Sequence, residues 1–338
     1  MKLSILIPMY NAEDYIGNCI ESLLHQNIPE DDYEIIIMDD GSTDNSVALV
    51  SEIAKSHDNI KLYTEPNSGA FTTRNKLLKL AQGDYIYNLD ADDYIVKDCL
   101  KELLLLAETN QLDIIGFDTV ETKSLEKKDL TTPIFDNEVK ICSGEQFIEN
   151  YPHVRHEIWW YFIKKDFIEE HQMSFNNNEY NADVMFTLEA LLITDKVGYV
   201  PVSIHRYVQT GNSLMRSSDF QIISKRLEYI QMMIHNTSEL INGLNDGNHS
   251  KTLIDNLKHR RDVFTFFNIA NMIRNRFSLE HIKSKIDGFK KINAYPINNF
   301  NRYRYNTLQY RILASVINRE SLLYFLISIK NIFLKSVK

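Results

Sequence analysis

The sequence predicts an α/β fold with a parallel sheet in its first two-thirds, followed by a helical region. Three observations carry this. Apolar runs of strand length alternate with helix-period segments five times between Leu3 and Phe117. Polar clusters at 8–11, 39–44, 65–69 and 90–93 all fall at the ends of predicted strands, where parallel sheets bind ligands. Beyond Arg216 the pattern changes to long helical stretches with few strand signals.

Each element has a local reason. Leu3-Ser4-Ile5-Leu6-Ile7-Pro8 predicts a buried strand ended by proline, and Asn11 is placed to cap the helix carrying Tyr15, Ile16, Cys19, Ile20, Leu23 and Leu24. Tyr33 to Met38 predicts the second strand, followed by Asp39-Asp40-Gly41-Ser42-Thr43-Asp44. Asp44 is a candidate cap for the helix bearing Val47, Val50, Ile53 and Ala54. Ile60 to Tyr63 is the third strand. The loop Glu65-Pro66-Asn67-Ser68-Gly69 then leads into a helix with Arg74, Asn75, Leu77, Leu78 and Ala81. Tyr85 to Leu89 is the fourth strand and Asp113 to Phe117 the fifth, with a helix from Lys97 to Thr109 between them. Further on, Ser143-Gly144-Glu145-Gln146 has the form of a capping box, a helix opens at Ala182-Asp183, and Val197 to Tyr207 reads as strand. Segments 121–138, 176–181 and 209–213 read as loops.

Composition narrows the class. A hydrophobic fraction of 44% and a charged fraction of 25% are those of a globular protein, and no run of about eighteen apolar residues predicts a membrane span. Strand-like sequence from Leu3 is not that of a signal peptide. The three scattered cysteines, Cys19, Cys99 and Cys142, predict neither a disulfide framework nor a zinc cluster. Net charge is −9 but uneven. Residues 1–215 hold 17 Lys+Arg against 37 Asp+Glu, a net −20, and residues 216–338 hold 20 against 9, a net +11. Such asymmetry marks two regions with different partners, or two regions that attract each other. The expected domains are 1–215 and 216–338.

Asp90-Ala91-Asp92-Asp93 is the chemical centre of the pattern. Carboxylates this close repel one another unless a cation sits among them. Hard oxygen ligands suit Mg²⁺ or Mn²⁺, with substrate phosphates completing the shell.

The ordered set Ile7-Pro8-Met9-Tyr10-Asn11, Asp39-Asp40-Gly41-Ser42-Thr43-Asp44, Asn67-Ser68-Gly69 with Arg74-Asn75, and Asp90-Ala91-Asp92-Asp93 resembles glycosyltransferase family 2 over residues 1–215. These are inverting enzymes of the GT-A fold that use nucleotide-diphosphate sugars. The resemblance implies that Pro8 and Tyr10 line the nucleotide, and that Asp40 contacts uracil. It further implies that Arg74 lies beside the base and phosphates, and that Asp90 lies near the ribose or donor sugar. By the same resemblance, Asp92 is expected to hold Mn²⁺ or Mg²⁺. The family's catalytic base sits in a Glu-Asp pair opening a later helix, which implies Asp183. Here Ala182 replaces the Glu, so the acceptor contact it makes in the family is missing at that position. A family Tyr-Arg followed by Ser appears as Tyr207-Val208 and Ser213, with His205 and Arg206 close by.

Bland readings stand beside these. Asp40 and Asp183 are also fit to cap helices, and Arg74 to be an exposed helix residue. His205 is either an ordinary sheet histidine or a group at the metal or phosphate. Trp159 and Trp160 suit either sugar contact or packing.

The tail offers a further pattern. Leu322, Phe325, Leu326, Ile329, Ile332 and Phe333 recur at three and four residues, with Arg319, Lys330, Lys335 and Lys338 among them. That describes a peripheral membrane contact through the C-terminal helix, or a helix packed on the tail's own core. Lys258, Arg260, Arg261, Arg274 and Arg276 add positive charge. Nucleic acid is not an expected partner, since no helix-turn-helix, RNA-recognition or zinc pattern occurs.

The expected function is therefore metal-assisted, inverting transfer of a sugar from a nucleotide-diphosphate sugar, a UDP-sugar above all. The expected acceptor is a hydroxyl of a saccharide or lipid-linked glycan, and the expected location is the cytoplasm or the inner face of the plasma membrane. The rival readings are a sugar-nucleotide-binding pseudoenzyme, supported by Ala182 and Val208, and a nucleotidyltransferase, whose Gly-rich phosphate loop is not seen between Pro8 and Asn18. An oxidoreductase would carry Gly-x-Gly-x-x-Gly after a strand, and none occurs.

Overall fold

The computed structural model describes residues 1–335 except 124, 126–134, 136–138, 154, 156, 177–181, 210–218 and 245–246, with side chains through 329. The chain divides into two compact units, Met1–Gly211 and Asn212–Lys338. The boundary expected near 215 lies outside the described residues, as do Ser213 and most of the expected loops at 121–138 and 176–181.

In the first unit the described strands are β1 (Leu3–Met9), β2 (Tyr33–Asp40), β3 (Ile60–Glu65), β4 (Tyr85–Asn88), β5 (Tyr94–Ile95), β6 (Ile114–Thr122), β7 (Lys140–Cys142), β8 (Tyr161–Lys164) and β9 (Val197–Val208). The helices are α1 (Ile16–Leu24), α2 (Ser46–Ala54), α3 (Ala70–Leu80), α4 (Leu100–Thr109), α5 (Gly144–Asn150), α6 (Lys165–Glu170) and α7 (Ala182–Ile193). One sheet runs in the order β3-β2-β1-β4-β8-β6-β9-β5, with β7 added on β9.

The α/β class is as expected, but the sheet is mixed rather than parallel throughout. β3, β2, β1 and β4 are mutually parallel; β8 runs antiparallel to both β4 and β6 and separates them. The fifth expected strand is thus not a neighbour of the fourth. Tyr161-Phe162-Ile163 fills that place, because its continuous apolar run suits a strand covered on both faces. Burial patterns follow the same rule. Every residue of β2 is buried, and Ile5, Ile7, Ile35, Ile37, Tyr87 and Phe162 share one core with Cys19, Ile20 and Leu23 of α1.

One polar residue in that core was not legible from the strand pattern. Glu34 is fully buried, accepting from Ser4 Oγ (2.6 Å), the Gln82 backbone N–H (2.8 Å) and Lys61 Nζ (2.7 Å). Burial alone would raise its pKa, but those three donors outweigh it and lower the value.

Two helix-start expectations need correction. Asn11 does not cap α1, which begins at Ile16 without a side-chain cap. Asn11 has φ +48° and ties the β1 end to the β2 end instead: its Oδ1 accepts from the Thr43 N–H (2.8 Å), and its own N–H donates to Ser42 Oγ (2.8 Å). α4 starts at Leu100, not Lys97, since Asp98 adopts φ +56°. The capping box at Ser143 and Gln146 is present as expected.

The second unit is helical: α8 (Phe220–Leu244), α9 (Lys251–Arg274), α10 (Leu279–Lys291), α11 (Leu308–Ile317) and α12 (Glu320–Lys335). Ile234, Ile269, Met272, Ile282, Ile286 and Phe300 form its core. Arg261 is not part of a surface charge patch; it is buried and paired with Asp262 at 2.9 Å. Leu323 and Ile327 of α12 are buried in this core, whereas Leu322, Phe325 and Leu326 are exposed, so the helix is packed on one face and open on the other. Leu308, Ile312 and Leu313 of α11 are exposed as well. Among the described residues no single helix is long and apolar enough to cross a membrane; by length and composition the bent pair Leu308–Ile317 and Glu320–Ile329 could. The side chains of Ile332, Phe333, Lys335 and Lys338 lie outside the described residues.

Candidate active site

The parallel register sets four strand ends side by side. Met9 lies opposite Asp39, Asp40 opposite Glu65, and Leu6 opposite Asn88, just before Asp90. The polar loops after β1, β2, β3 and β4 therefore line one edge of the sheet.

Asp40 is 5% exposed, and its carboxylate holds the β3–α3 loop. Oδ1 accepts from the Ser68 N–H (2.6 Å) and Oδ2 from the Gly69 N–H (2.9 Å), while Asn67 Nδ2 donates to its carbonyl (2.9 Å). It does not cap α2. A Cβ on Gly41, which has φ +79°, would lie 2.8 Å from the Asn67 nitrogen, so glycine is required where this loop crosses β2's end. Asp39 turns the same corner by accepting from the Gly41 and Ser42 N–H groups. Pro8 is half-buried in the strand end, and Tyr10 projects into solvent with 53% of its surface exposed.

Arg74 is not an exposed helix residue. It is 6% exposed and forms an ion pair with Asp90 through Nη2, while its Nε and Nη1 are buried without a hydrogen-bond partner. Buried guanidinium donors left unanswered are costly, and an anionic ligand would satisfy them.

Asp90, Asp92 and Asp93 present carboxylate oxygens within 4.8 Å of one another. Both oxygens of Asp93 are committed: Oδ1 accepts from the Val208 N–H (2.8 Å), and Oδ2 meets His205 Nε2 (3.1 Å). Burial, and then the Asp90 charge, push Asp93 well up. Burial pushes His205 down to about 3, so its ring is neutral; its Nδ1 meets Thr119 Oγ1 (3.3 Å). Asp92 is left with no cationic partner among the described residues. Burial and the charges of Asp90 and Asp93 push it up to about 7. The set fits an oxygen-preferring divalent cation held by Asp92, with Asp90 beside it and Asp93 braced by His205.

Asp183 lies in the first turn of α7. Burial pushes its pKa up to about 7, against the lowering pull of Arg74 and with further raising by the charges of Glu157 and Asp90. The base candidate is thus within electrostatic reach of the Arg74–Asp90 pair. Tyr161 ties α7 to the sheet, its hydroxyl meeting Thr187 Oγ1 at 2.9 Å, one turn below Asp183. Glu157 was missed by sequence reasoning; its Oε2 is buried without a hydrogen-bond partner. The signal that could have found it is its position just before the aromatic run 159–162.

Both tryptophans are buried. Trp159 stacks on His205 at 4.5 Å and Trp160 on Phe147 at 5.7 Å, which is packing. Val208, where the resemblance expected an Arg, contributes its backbone N–H to Asp93. Arg206, two residues earlier, is buried and donates to the Ser203 carbonyl.

Comparison with known proteins agrees with this picture. The family model described as "Glycosyl transferase family 2" matches residues 4–174. A poly(ribitol-phosphate) beta-glucosyltransferase of Bacillus spizizenii is 41% identical over 116 residues, which is 34% of this chain and 18% of that protein. An uncharacterized glycosyltransferase of Haemophilus influenzae is 32% identical over 194 residues, covering 51% of this chain and 77% of that one. Among solved structures, TarS 1–349 of S. aureus in complex with UDP-GlcNAc superimposes with a TM-score of 0.69 at 20% identity, over 95% of this chain and 90% of that one. The chain spans less than a fifth of the Bacillus spizizenii relative. Strand-end carboxylates on a mixed sheet, the TarS-like GT-A architecture and the match over half the chain lead to one assignment: the protein belongs to glycosyltransferase family 2.

Proposed function

We propose that the protein transfers a sugar from a UDP-sugar to a hydroxyl of a saccharide or lipid-linked glycan acceptor, inverting the anomeric centre in a single displacement. The observation that supports this reading is the buried Arg74–Asp90 ion pair at the sheet edge, whose charges act on Asp183, a carboxylate that burial pushes up to about 7. The names of the relatives support the donor class: the Bacillus spizizenii protein is a glucosyltransferase, and TarS was solved with UDP-GlcNAc.

The residues divide the work. Pro8 and Tyr10 flank the nucleotide, and Asp40 fixes the loop after β3 and reaches toward the base. Arg74 offers its two unanswered donors to the diphosphate. Asp92 would hold the divalent ion, which would supply positive charge against the departing diphosphate. Asp183 takes the proton from the attacking hydroxyl, a role that requires it ionised and contributes about 10²–10⁴-fold. One displacement needs no covalent intermediate, consistent with the buried, raised-pKa thiols of Cys19 and Cys99 having no part in it. We further propose that the exposed apolar face of α11 and α12, with Arg311 and Arg319 nearby, meets an anionic membrane surface at the cytoplasmic side.

The test is release of UDP from a panel of UDP-sugars with and without Mn²⁺ or Mg²⁺, after a thermal-shift screen for donors. Metal-dependent UDP release from at least one donor supports the reading. Donor binding with no turnover across donors and acceptors would instead favour the pseudoenzyme.

A further inference from the structure

A cavity of about 320 Å³ lies beside the site, lined in part by Asp118, Asn150, Tyr151, Arg155, Trp160 and Tyr199. Its size is at the lower end of small-ligand pockets and suits one sugar ring. The sheet register places it. Gly116 pairs with Tyr161 on β8 and with Tyr199 on β9, so these three residues face the same side of the sheet. The Tyr199 hydroxyl donates to Asp118, which puts Asp118 on that side too. The Tyr161 hydroxyl meets Thr187, so α7, the helix that carries Asp183, covers the same side. The wall continues to the metal carboxylates: the Arg155 guanidinium lies 5.5 Å from the Trp159 ring centroid, Trp159 stacks on His205, and His205 meets Asp93.

The lining chemistry selects the occupant. The Trp160 indole is 2% exposed and its N–H has no partner. The Tyr199 hydroxyl already answers one Asp118 oxygen, but an apolar ligand would still leave the Trp160 N–H and the Asn150 amide without a partner and would strip water from the rest of the Asp118 carboxylate. A sugar supplies hydroxyls that both donate and accept, and its C–H face suits the Tyr151 and Tyr199 rings. We propose that this cavity is a saccharide subsite that holds a sugar unit of the acceptor next to the one attacked. That the saccharide belongs to the acceptor rests on the transferase reading; that the cavity binds a sugar does not.

The experiment is saturation-transfer difference NMR on the full chain with UDP and Mg²⁺ present to fill the donor site. The probes are methyl β-D-glucopyranoside, methyl β-D-galactopyranoside and methyl N-acetyl-β-D-glucosaminide. Asp118→Asn keeps the shape and removes the charge. Trp160→Phe keeps a ring on Phe147 and removes the N–H. Saturation of at least one glycoside by the wild type, with affinity about tenfold weaker in Asp118→Asn and unchanged UDP binding, supports the subsite. No saturation of any probe, or equal affinity in the variant, overturns it. Should Trp160→Phe fold poorly, Asp118→Asn decides alone. Glycoside binding without UDP-sugar turnover would sink the transferase reading and leave the cavity assignment standing.

Discussion

Arg74 on α3 pairs with Asp90 at the end of β4, joining the helix after one strand-end loop to the carboxylate cluster of another. The pair uses one guanidinium nitrogen and leaves two buried donors without a hydrogen-bond partner. It also sets the charge felt by Asp183, which Arg74 lowers and Asp90 raises. One ion pair thus ties α3 to the carboxylate cluster and acts electrostatically on Asp183, the proposed base.

Arg74→Met is expected to weaken UDP binding by about tenfold or more, the scale of losing charge-assisted hydrogen bonds to a phosphate. Isothermal titration of UDP with Mn²⁺ present measures it. Affinity within about twofold of wild type would show that the free nitrogens do not meet the ligand.

Asp92→Ala is expected to abolish the metal-dependent part of UDP-sugar binding while leaving the fold intact, because Asp92 makes no ion pair among the described residues that the sheet needs. Titration with and without Mn²⁺, alongside circular dichroism, reads both. Asp93→Ala is expected to do more damage to stability, since Asp93 is buried, accepts from the Val208 N–H and meets His205 Nε2.

On the proposed mechanism, Asp183 as base sets a pH dependence. Asp183 must be ionised to accept a proton, and burial holds its pKa at about 7, so kcat/KM is expected to rise with pH through an apparent pKa near or below 7. Glu157→Gln removes a charge that raises this value, and is expected to move the rising limb to lower pH. A limb that stays in place in the variant would mean that Asp183 is not the titrating group.

Much of this was legible in the sequence. The strand ends announced themselves because apolar runs stop abruptly at Pro8, Asp39 and Asp90, and the α/β class followed from alternation. What stayed hidden depended on tertiary pairing. Nothing local says that Tyr161–Lys164 inserts antiparallel between β4 and β6, or that Asn11 turns back to Thr43 rather than capping α1. Glu34 and Glu157 look like ordinary surface carboxylates in sequence; only the fold buries one on Ser4 and Lys61 and leaves the other unpaired beside the site. His205 and Trp159 could be named as candidates, but their stack against each other is a contact between distant segments.

Glu34 gives a stability prediction. Lys61 is a third exposed, so its pair with Glu34 contributes about 1 kcal/mol, and Lys61→Met is expected to lower unfolding stability by that amount in urea. The Glu34 pKa is lowered in the folded chain, so its contribution is present above about pH 4.5 and is lost as pH falls below it. Stability of the Glu34→Gln variant is expected to depend less on pH in that acid range.

The tail is tested by flotation with anionic vesicles. The chain of residues 1–338 is expected to float and one lacking residues 316–338 to float less. Equal recovery would assign the exposed Phe325 and Leu326 to something other than lipid.

The most direct measurement compares Asp183→Asn with wild type in one preparation, reading UDP-sugar affinity by titration and sugar transfer by product analysis. The account predicts affinity within about threefold of wild type and transfer reduced by about 10²-fold or more. An Asp183→Asn enzyme that transfers sugar at the wild-type rate would contradict it.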